Sequence, residues 1–246
     1  MSKRVKILIP ARLASKRLAG KVLADINGKP MLKRVIDQCA RAAGRKAVGV
    51  VTPDRKIFDL VKEWGFDAYM SDPRSPDGTF AIASVVAKVP ADHIVNVQAD
   101  QPLIPVSLIR QMIRTLTRSK ASVVTPVYRI KDPADIKDVG VAKVLRDLDG
   151  WALYFSRSPV PYCRDAGLGQ WAKRHPYWGH YGIYGYTKKL LLRLPKLKKS
   201  YLEAAEKLEQ IRFLQNGIGV LTFETRHRQL AVDTLADLKK IRRLCQ

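Results

Sequence analysis

The chain has 246 residues, 46% of them hydrophobic, and its 45 lysines and arginines outnumber its 22 aspartates and glutamates to give a formal charge of +23. This length and hydrophobic fraction are typical of a folded globular protein, so the charge does not indicate disorder. No apolar run approaches the ~18 residues of a membrane span, and the apolar stretch near the start is too short for a signal peptide. Three cysteines without CxxC spacing favour neither a disulfide framework nor a zinc site. We therefore expect a soluble, cytoplasmic protein without membrane insertion.

Short β-branched runs alternate with amphipathic stretches along the chain, which predicts an α/β fold with a mostly parallel, mixed sheet flanked by helices. In chain order, the sequence predicts strands at 5–9, 48–51, 93–97, 121–127, 141–145, 179–186 and 219–223. It predicts helices at 31–43, 55–64, 81–88, 105–119 and 202–215, and a last helix from Thr234. Because the chain has neither an internal repeat nor a low-complexity linker, we expect a single domain over residues 1–246.

The loop after the first predicted strand, residues 10–21, contains four cations and a small hydroxyl. Ligands of open α/β sheets bind beyond the carboxyl ends of the strands, so this loop is placed to hold a polyphosphate. Backbone N–H groups and Ser15 can donate to phosphate oxygens, while Arg12 and Lys21 neutralise their charge. The loop lacks the Walker pattern, and a basic loop without a ligand remains the alternative.

Two carboxylates follow other predicted strands. Asp100 lies in the segment 96–102, at the end of a buried strand, and Asp233 precedes the last helix. Carboxylates together with phosphate oxygens are the usual ligands of Mg²⁺ in proteins. The alternatives are that Asp100 only caps a turn before Pro102 and that Asp233 is only a helix N-cap.

The strong positive charge is compatible with a nucleic-acid partner, with an anionic membrane surface or with acidic substrates. The basic residues are dispersed, with modest clusters at 196–199 and 239–243. No zinc finger, aromatic RNA-binding pair or helix-turn-helix pattern accompanies them. A solvated basic surface is therefore favoured over nucleic-acid binding.

Taken together, these segments closely resemble the motifs of the CMP-Kdo synthetases, the cytidylyltransferases that activate 3-deoxy-manno-octulosonate (Kdo). The family's opening pattern Pro-Ala-Arg-x-Ala-Ser-x-Arg-Leu-x-Gly-Lys is met at 10–21, and Asn-Gly-Lys-Pro-Met follows at 27–31. Asn-Val-Gln-x-Asp stands at 96–100 and Ala-Leu-Tyr-Phe-Ser-Arg at 152–157. Further matches occur at His180, at 182–186 and at Leu-Glu-Gln-Ile-Arg, residues 208–212. The resemblance is collinear and runs nearly end to end.

The resemblance implies a nucleotide-diphospho-sugar transferase fold, dependence on Mg²⁺ and a homodimer. The family's reaction converts CTP and Kdo into CMP-Kdo and pyrophosphate, one step of lipopolysaccharide assembly. For this chain it implies Lys21, Arg12 and Asp100 as catalytic residues, and Asp100 and Asp233 as metal ligands. It implies a nucleotide site formed by Ala11, Arg12, Ser15, Lys21, Gly78 and Asp100. It implies a sugar site formed by Arg17, Gln98, Arg157, Arg164, His180, Tyr184 and Glu209.

The sugar-site residues also have plain structural interpretations. Tyr184 alternates with smaller residues, as a residue of the strand core would. His180 has no nearby metal-ligand partner in sequence and is equally compatible with a structural hydrogen bond. Glu203, Glu206 and Glu209 are spaced as one solvated acidic face of a helix would be.

The sequence departs from the family pattern at several positions. Gln101 stands where the family has glutamate, and residues 77–81 read Asp-Gly-Thr-Phe-Ala instead of Ser-Gly-Thr-Glu/Asp-Arg. Residues 18–22 read Leu-Ala-Gly-Lys-Val instead of Leu-Pro-Gly-Lys-Pro, and 51–53 read Val-Thr-Pro instead of Ala-Thr-Asp. These changes affect expected nucleotide contacts and remove a charge beside the expected metal carboxylate. The favoured hypothesis is an active CMP-sugar-acid synthetase. The alternatives are a diverged relative, with another sugar or nucleotide or without catalysis, and a basic nucleic-acid-binding protein.

Overall fold

The computed structural model describes residues 4–14 and 18–245. Its strands are β1 Val5–Pro10, β2 Asp25–Ile26, β3 Lys29–Pro30, β4 Val48–Thr52, β5 Asp67–Met70, β6 His93–Asn96, β7 Val123–Ile130, β8 Lys143–Arg146, β9 Ala152–Ser156, β10 Tyr177–His180, β11 Tyr184–Thr187 and β12 Val220–Thr225. Its helices are α1 Met31–Ala43, α2 Arg55–Glu63, α3 Gly78–Val85, α4 Val106–Arg118, α5 Pro133–Lys137, α6 Leu168–Arg174, α7 Lys188–Arg193, α8 Tyr201–Glu206, α9 Ile211–Gln215 and α10 Leu235–Leu244. Within the described residues, no helix combines the length and hydropathy needed to cross a membrane.

All strands except β2 and β3 form one mixed sheet, as predicted. On one side of this sheet β5, β4, β1 and β6 are parallel neighbours. β11 then pairs antiparallel with both β6 and β7, and β7 pairs parallel with β12. β10, β8 and β9 continue the sheet in antiparallel fashion from the second half of β7. The sheet therefore presents the carboxyl ends of β1, β4 and β6 at one common edge.

The central strands are buried on both faces because helices cover the sheet on both sides. Ile7 and Ile9 of β1 pack in a core with α1, α2 and α4, whereas Leu8 packs in a second core with α3, α7 and α9. This alternation follows from the two-residue repeat of a strand. Short β2 and β3 form a hairpin through Asn27 and Gly28, both with positive φ (48° and 76°), as a two-residue Asn-Gly turn requires.

The strand predicted at 179–186 and the helix predicted at 202–215 are wrong as continuous elements. Between β10 and β11, the carbonyls of Tyr181 and Ile183 accept hydrogen bonds from the Thr125 hydroxyl, at 3.4 and 2.8 Å, instead of joining a strand ladder. Between α8 and α9, Lys207 adopts a left-handed conformation with φ of 53° and ends the first helix. Both breaks bring backbone turns and the side chains next to them to the edge of a cavity.

Candidate functional site

A cavity of about 410 Å³ lies at the carboxyl ends of β1, β4 and β6. The segments that leave these three strands all line it, as open α/β sheets predict. We call it the first cavity; its lining includes Ala11, Arg12, Lys21, Pro53, Ser71, Asp72, Asp77, Gly78, Gln98, Asp100 and Asp233. Five of the six residues predicted for the nucleotide site are thus brought together. The sixth, Ser15, lies outside the described residues, as does Arg17 of the predicted sugar site.

Lys21 stands at the centre of this arrangement. Gly20 precedes it with φ of 66°, a left-handed conformation that glycine adopts without strain, and Lys21 opens a short 3-10 helix. Its Nζ donates to Asp100 Oδ2 at 2.8 Å, to Asp233 Oδ1 at 3.1 Å and to the Val232 carbonyl at 3.0 Å. One ammonium group therefore joins two carboxylates that are far apart in the sequence.

The neighbouring carboxylates together have a larger effect on the pKa of Lys21 than its burial has. Burial alone would lower the pKa of this lysine, but Asp100 and then Asp233 raise it above its usual value. Asp100 and Asp233 are held close together because the Val232 N–H donates to the Asp100 carbonyl at 2.9 Å. Lys21 is consequently charged at neutral pH, and the two carboxylates with one ammonium group keep a net negative charge.

Asp233 is not the cap of the last helix. Thr234 caps α10, and Asp237 completes a capping box by accepting from the Thr234 N–H at 2.8 Å. The alternative interpretation of Asp233 as an N-cap is therefore wrong, and its carboxylate faces Lys21 instead.

The donor set at this point fits a divalent cation. One carboxylate oxygen of Asp100 and one of Asp233 both bind the Lys21 ammonium group, so the two side chains converge on a single positive charge. Their side chains keep 25% and 36% exposure and line the open cavity, so phosphate oxygens and water can complete a coordination shell. Mg²⁺ is typically held in this way, by one or two carboxylates plus substrate phosphates.

A second cavity of about 840 Å³ adjoins the first. The two share a wall formed by Asp77, Gly78, Gln98, Asp100 and Asp233. Of the residues predicted for the sugar site, the lining includes Gln98, Arg157, His180, Tyr184 and Glu209. Arg164 lies exposed ahead of α6 and lines neither cavity, so the structure does not bring it to this site.

His180 and Tyr184 form one rim of the second cavity. The Thr125 hydroxyl lies 2.9 Å from His180 Nε2, and the His180 ring contacts the rings of Phe155 and Tyr184, both at 5.3 Å between centroids. Burial lowers the pKa of His180 to about 3 and raises the pKa of Tyr184 well above 10. Both side chains are therefore neutral at physiological pH and present hydrogen-bonding groups rather than charges.

Arg157 lines the second cavity but is already engaged. Its guanidinium donates to the carbonyls of Glu206 at 2.7 Å, Val139 at 2.7 Å and Lys207 at 3.4 Å. The Glu206 carboxylate accepts in turn from the Arg157 N–H at 2.9 Å. Arg157 thus fixes the loops at the mouth of the cavity, and its predicted contact with an acceptor carboxylate stays a prediction.

The three glutamates of residues 203–209 do not form a solvated face. Glu203 is 8% exposed and accepts two hydrogen bonds from Arg212, at 2.6 and 2.7 Å. Glu209 turns to the second cavity and accepts from the Thr79 hydroxyl at 3.0 Å. The broken helix explains the error, because Glu203 and Glu209 do not share a helical face.

Two of the departures from the family pattern acquire a structural explanation. The Phe80 ring lies 4.7 Å below the Arg212 guanidinium, so this position supports Arg212 by stacking. Gln101 is fully buried, and its amide donates to the Gly182 carbonyl at 3.4 Å instead of facing the Asp100 carboxylate. Gly182 is also held by Gln229, which accepts from its N–H at 2.8 Å.

Sequence reasoning missed Asp77. It lines both cavities and caps α3 by accepting from the Phe80 N–H at 2.9 Å. An acidic residue followed by glycine at the start of a predicted helix is the signal that indicates such a cap. Its position between the two cavities is a tertiary feature.

Comparison with known proteins agrees with this geometry. A family model described as cytidylyltransferase matches residues 6–241. The 3-deoxy-manno-octulosonate cytidylyltransferase of Geotalea uraniireducens (strain Rf4) is 39% identical over 248 residues, 97% of each chain. That of Geobacter sulfurreducens is 39% identical over 247 residues, 96% of this chain and 97% of the relative. The chain belongs to the 3-deoxy-manno-octulosonate cytidylyltransferase family.

Solved structures confirm the fold expected of this family. The structure of a CMP:2-keto-3-deoxy-manno-octonic acid synthetase complexed with CTP superposes with a TM-score of 0.90 at 36% identity, and the match covers 98% of both chains. A cytidylyltransferase from Leptospira borgpetersenii shares the fold alone, with a TM-score of 0.64 at 16% identity over 98% of this chain and 86% of that one.

Proposed function

We propose that this chain transfers the cytidylyl group of CTP to Kdo, giving CMP-Kdo and pyrophosphate. The observation that carries the proposal is the junction of the two cavities, where Lys21, Asp100 and Asp233 meet. The first cavity would hold the nucleoside triphosphate and the second the acceptor, so the cytidylyl group would be transferred at their common wall. The relatives named for this activity support the assignment along the whole chain.

The reaction forms one bond and breaks one bond at the α-phosphorus. The anomeric hydroxyl oxygen of the sugar attacks phosphorus, the bond to the β-phosphate oxygen breaks, and pyrophosphate leaves with the displaced electron pair. The hydroxyl proton is lost to solvent. Because no covalent enzyme intermediate is needed, catalysis depends on positioning and on stabilisation of negative charge.

Four side chains of the first cavity would do this work. Lys21 places a permanent positive charge at the shared wall, where charge develops on the α-phosphate, and Arg12 neutralises the triphosphate from the loop after β1. Asp100 and Asp233 would hold Mg²⁺, which supplies charge neutralisation and makes a hydroxyl bound to it more acidic.

The second cavity would orient the acceptor. Gln98 on the shared wall, together with His180, Tyr184 and Glu209, offers hydrogen-bonding groups to a polyhydroxylated sugar. We further propose that the chain acts as a Mg²⁺-dependent homodimer in the cytoplasm, within lipopolysaccharide synthesis, as the family resemblance implies.

The test is pyrophosphate release from CTP, Mg²⁺ and Kdo, with UTP, ATP and GTP as competing nucleotides. We expect turnover with CTP, and a loss of about 10³-fold in Asp100→Asn, because a positioned charge at a transition state contributes on this scale. Asp59→Asn, at an exposed pair on α2, is the matched control and should retain full activity.

Two results would contradict the proposal. One is near-normal turnover of Asp100→Asn at saturating Mg²⁺. The other is an absence of pyrophosphate with every nucleotide and acceptor. Salt-sensitive binding to nucleic acid that CTP does not compete would instead favour the basic-surface hypothesis.

A further inference from the structure

Two carboxylates meet in the wall of the second cavity. Glu209 accepts from the Thr79 hydroxyl through Oε1, while its Oε2 is buried and accepts no hydrogen bond from the described residues. Asp77 uses Oδ1 to cap α3, and its carboxylate lies beside that of Glu209. Burial and then the neighbouring Asp77 raise the pKa of Glu209 well above its usual value.

The part of the chain that the structure describes places no cation in direct contact with this pair. No lysine or arginine nitrogen among residues 4–14 and 18–245 forms an ion pair with Asp77 or Glu209. Arg212 lies near enough for its charge to interact with both carboxylates, but its Nε and Nη2 donate to Glu203 and Phe80 covers one face of its guanidinium. The second cavity therefore contains two neighbouring carboxylates that no described lysine or arginine joins in an ion pair.

Gln210, the next residue in the chain after Glu209, has a side-chain nitrogen without a hydrogen-bond partner among the described residues. Gln210 is 2% exposed and lines the second cavity, and its side-chain Nε2 is buried with no hydrogen-bond acceptor among the described residues. A buried amide without a partner is costly, so such groups mark places that a ligand or water satisfies. Gln210 offers a donor directly next in sequence to the Glu209 acceptor, which suits a ligand that presents a hydrogen-bond donor beside an oxygen atom.

We propose that Asp77 and Glu209 form a subsite for an ammonium group on the acceptor, so that the preferred substrate is a sugar acid of the Kdo class in which an amine replaces one hydroxyl. This inference rests on the function proposed above and names the substrate of the same site. The neighbouring Gln210 donates to a hydroxyl or ring oxygen adjacent to the amine.

An ammonium group satisfies this position better than a hydroxyl does. It donates up to three hydrogen bonds, enough for Glu209 Oε2 and the Asp77 carboxylate together, and it brings a positive charge into direct contact with both groups. A neutral hydroxyl donates once and leaves two like charges, or one charge and one trapped proton, facing each other in a buried wall.

Asp77 is the residue that determines this preference. It stands where the family pattern has serine, whereas Glu209 matches the family. A serine at this position still caps α3, because serine is among the best N-cap residues, but it carries no charge. The ammonium subsite is therefore a property of this chain and not of the whole fold.

The experiment compares three kinds of acceptor by pyrophosphate release with CTP and Mg²⁺: Kdo, analogues in which an amine replaces one hydroxyl at each position in turn, and the N-acetyl form of each analogue. For the wild type we expect kcat/KM with the best amine to exceed that with Kdo by about tenfold to hundredfold, the scale of one or two charge-assisted hydrogen bonds. The N-acetyl form keeps an N–H but loses the charge, and it should fall below Kdo.

Two variants test the assignment to Asp77. Asp77→Ser and Asp77→Asn retain a capping side chain, so their melting temperatures should remain close to that of the wild type. In both variants the ratio of kcat/KM for the amine to kcat/KM for Kdo should fall to about 1. Asp59→Asn should keep the preference unchanged.

The proposal is overturned if the kcat/KM for Kdo equals or exceeds that for every amine analogue. It is also overturned if Asp77→Ser keeps the wild-type preference for the amine. Those outcomes leave the proposed cytidylyl transfer intact. Failure of all acceptors, Kdo included, would instead refute the proposed function and with it this inference.

Discussion

Replacement of Lys21 by methionine tests the geometry on which the site depends. Its Nζ makes charge-assisted hydrogen bonds to Asp100 at 2.8 Å and Asp233 at 3.1 Å, and its side chain is 14% exposed. Such bonds contribute about 1.5–3 kcal/mol each, and the 36% exposure of Asp233 calls for a discount by solvent screening. We therefore expect Lys21→Met to lower the free energy of unfolding by about 2–4 kcal/mol in the absence of divalent cations.

The same substitution should separate stability from catalysis. With Lys21 removed, the two carboxylates repel each other, so Mg²⁺ should raise the melting temperature of Lys21→Met by more than it raises that of the wild type. The kcat for pyrophosphate release should nevertheless remain about 10²–10³-fold low at saturating Mg²⁺, because the positive charge at the α-phosphate is missing.

Urea denaturation, thermal shift with Mg²⁺ alone and pyrophosphate release measure these three effects. Lys29→Met is the matched control, since Lys29 is 46% exposed and its partner Asp37 keeps Lys33 as a second cation. It should cost less than about 1 kcal/mol and leave kcat unchanged. A Lys21→Met protein with kcat within twofold of the wild type would contradict the role given to the Lys21 charge, and so would equal Mg²⁺ stabilisation of both proteins.

Three further substitutions probe the second cavity and its supports. Glu203→Ala should lower the free energy of unfolding by about 3–5 kcal/mol because it leaves the buried Arg212 unpaired. The double variant Glu203→Ala with Arg212→Met should recover much of this loss. In urea denaturation, a cost of the single variant below about 1 kcal/mol would be inconsistent with the ion pair. Burial lowers the pKa of His180 from 6.5 to about 3. Below about pH 6.5 the unfolded chain therefore binds a proton that the folded chain does not, so the free energy of unfolding decreases as the pH is lowered. Between about pH 6.5 and pH 5, the His180→Gln variant should therefore lose about 2 kcal/mol less of its free energy of unfolding than the wild type. An unchanged pH dependence would exclude His180 as the cause. A Cβ at Gly179 would overlap the Tyr128 ring, so Gly179→Ala should cost about 1–3 kcal/mol and raise KM for the sugar because Tyr128 lines its cavity; an unaltered KM would contradict that contact.

The parallel half of the fold could be predicted because its signals are local. β1, apart from Lys6, and β4, up to Val51, consist of apolar residues and glycine, and α1 carries apolar residues at helical spacing, so their predicted ranges agree closely with the structure. The second half is less predictable because contacts with remote residues override local pattern. Lys207 ends α8 in a left-handed conformation, and Thr125 takes the carbonyls that a continuous strand would use at 181–183.

Residue types and short spacings are local properties, so they already specify the chemistry available to this protein: a cationic loop, carboxylates at strand ends and a motif series typical of one family. Which of those groups act together depends on the folding of the whole chain. Lys21 and Asp233 are 212 positions apart and meet because the parallel order of β1 and β6 brings their carboxyl ends to one edge, where the segment before α10 joins them. Asp77 and Glu209 likewise become neighbours through the packing of α3 against the turn after α8, and no local pattern encodes that meeting.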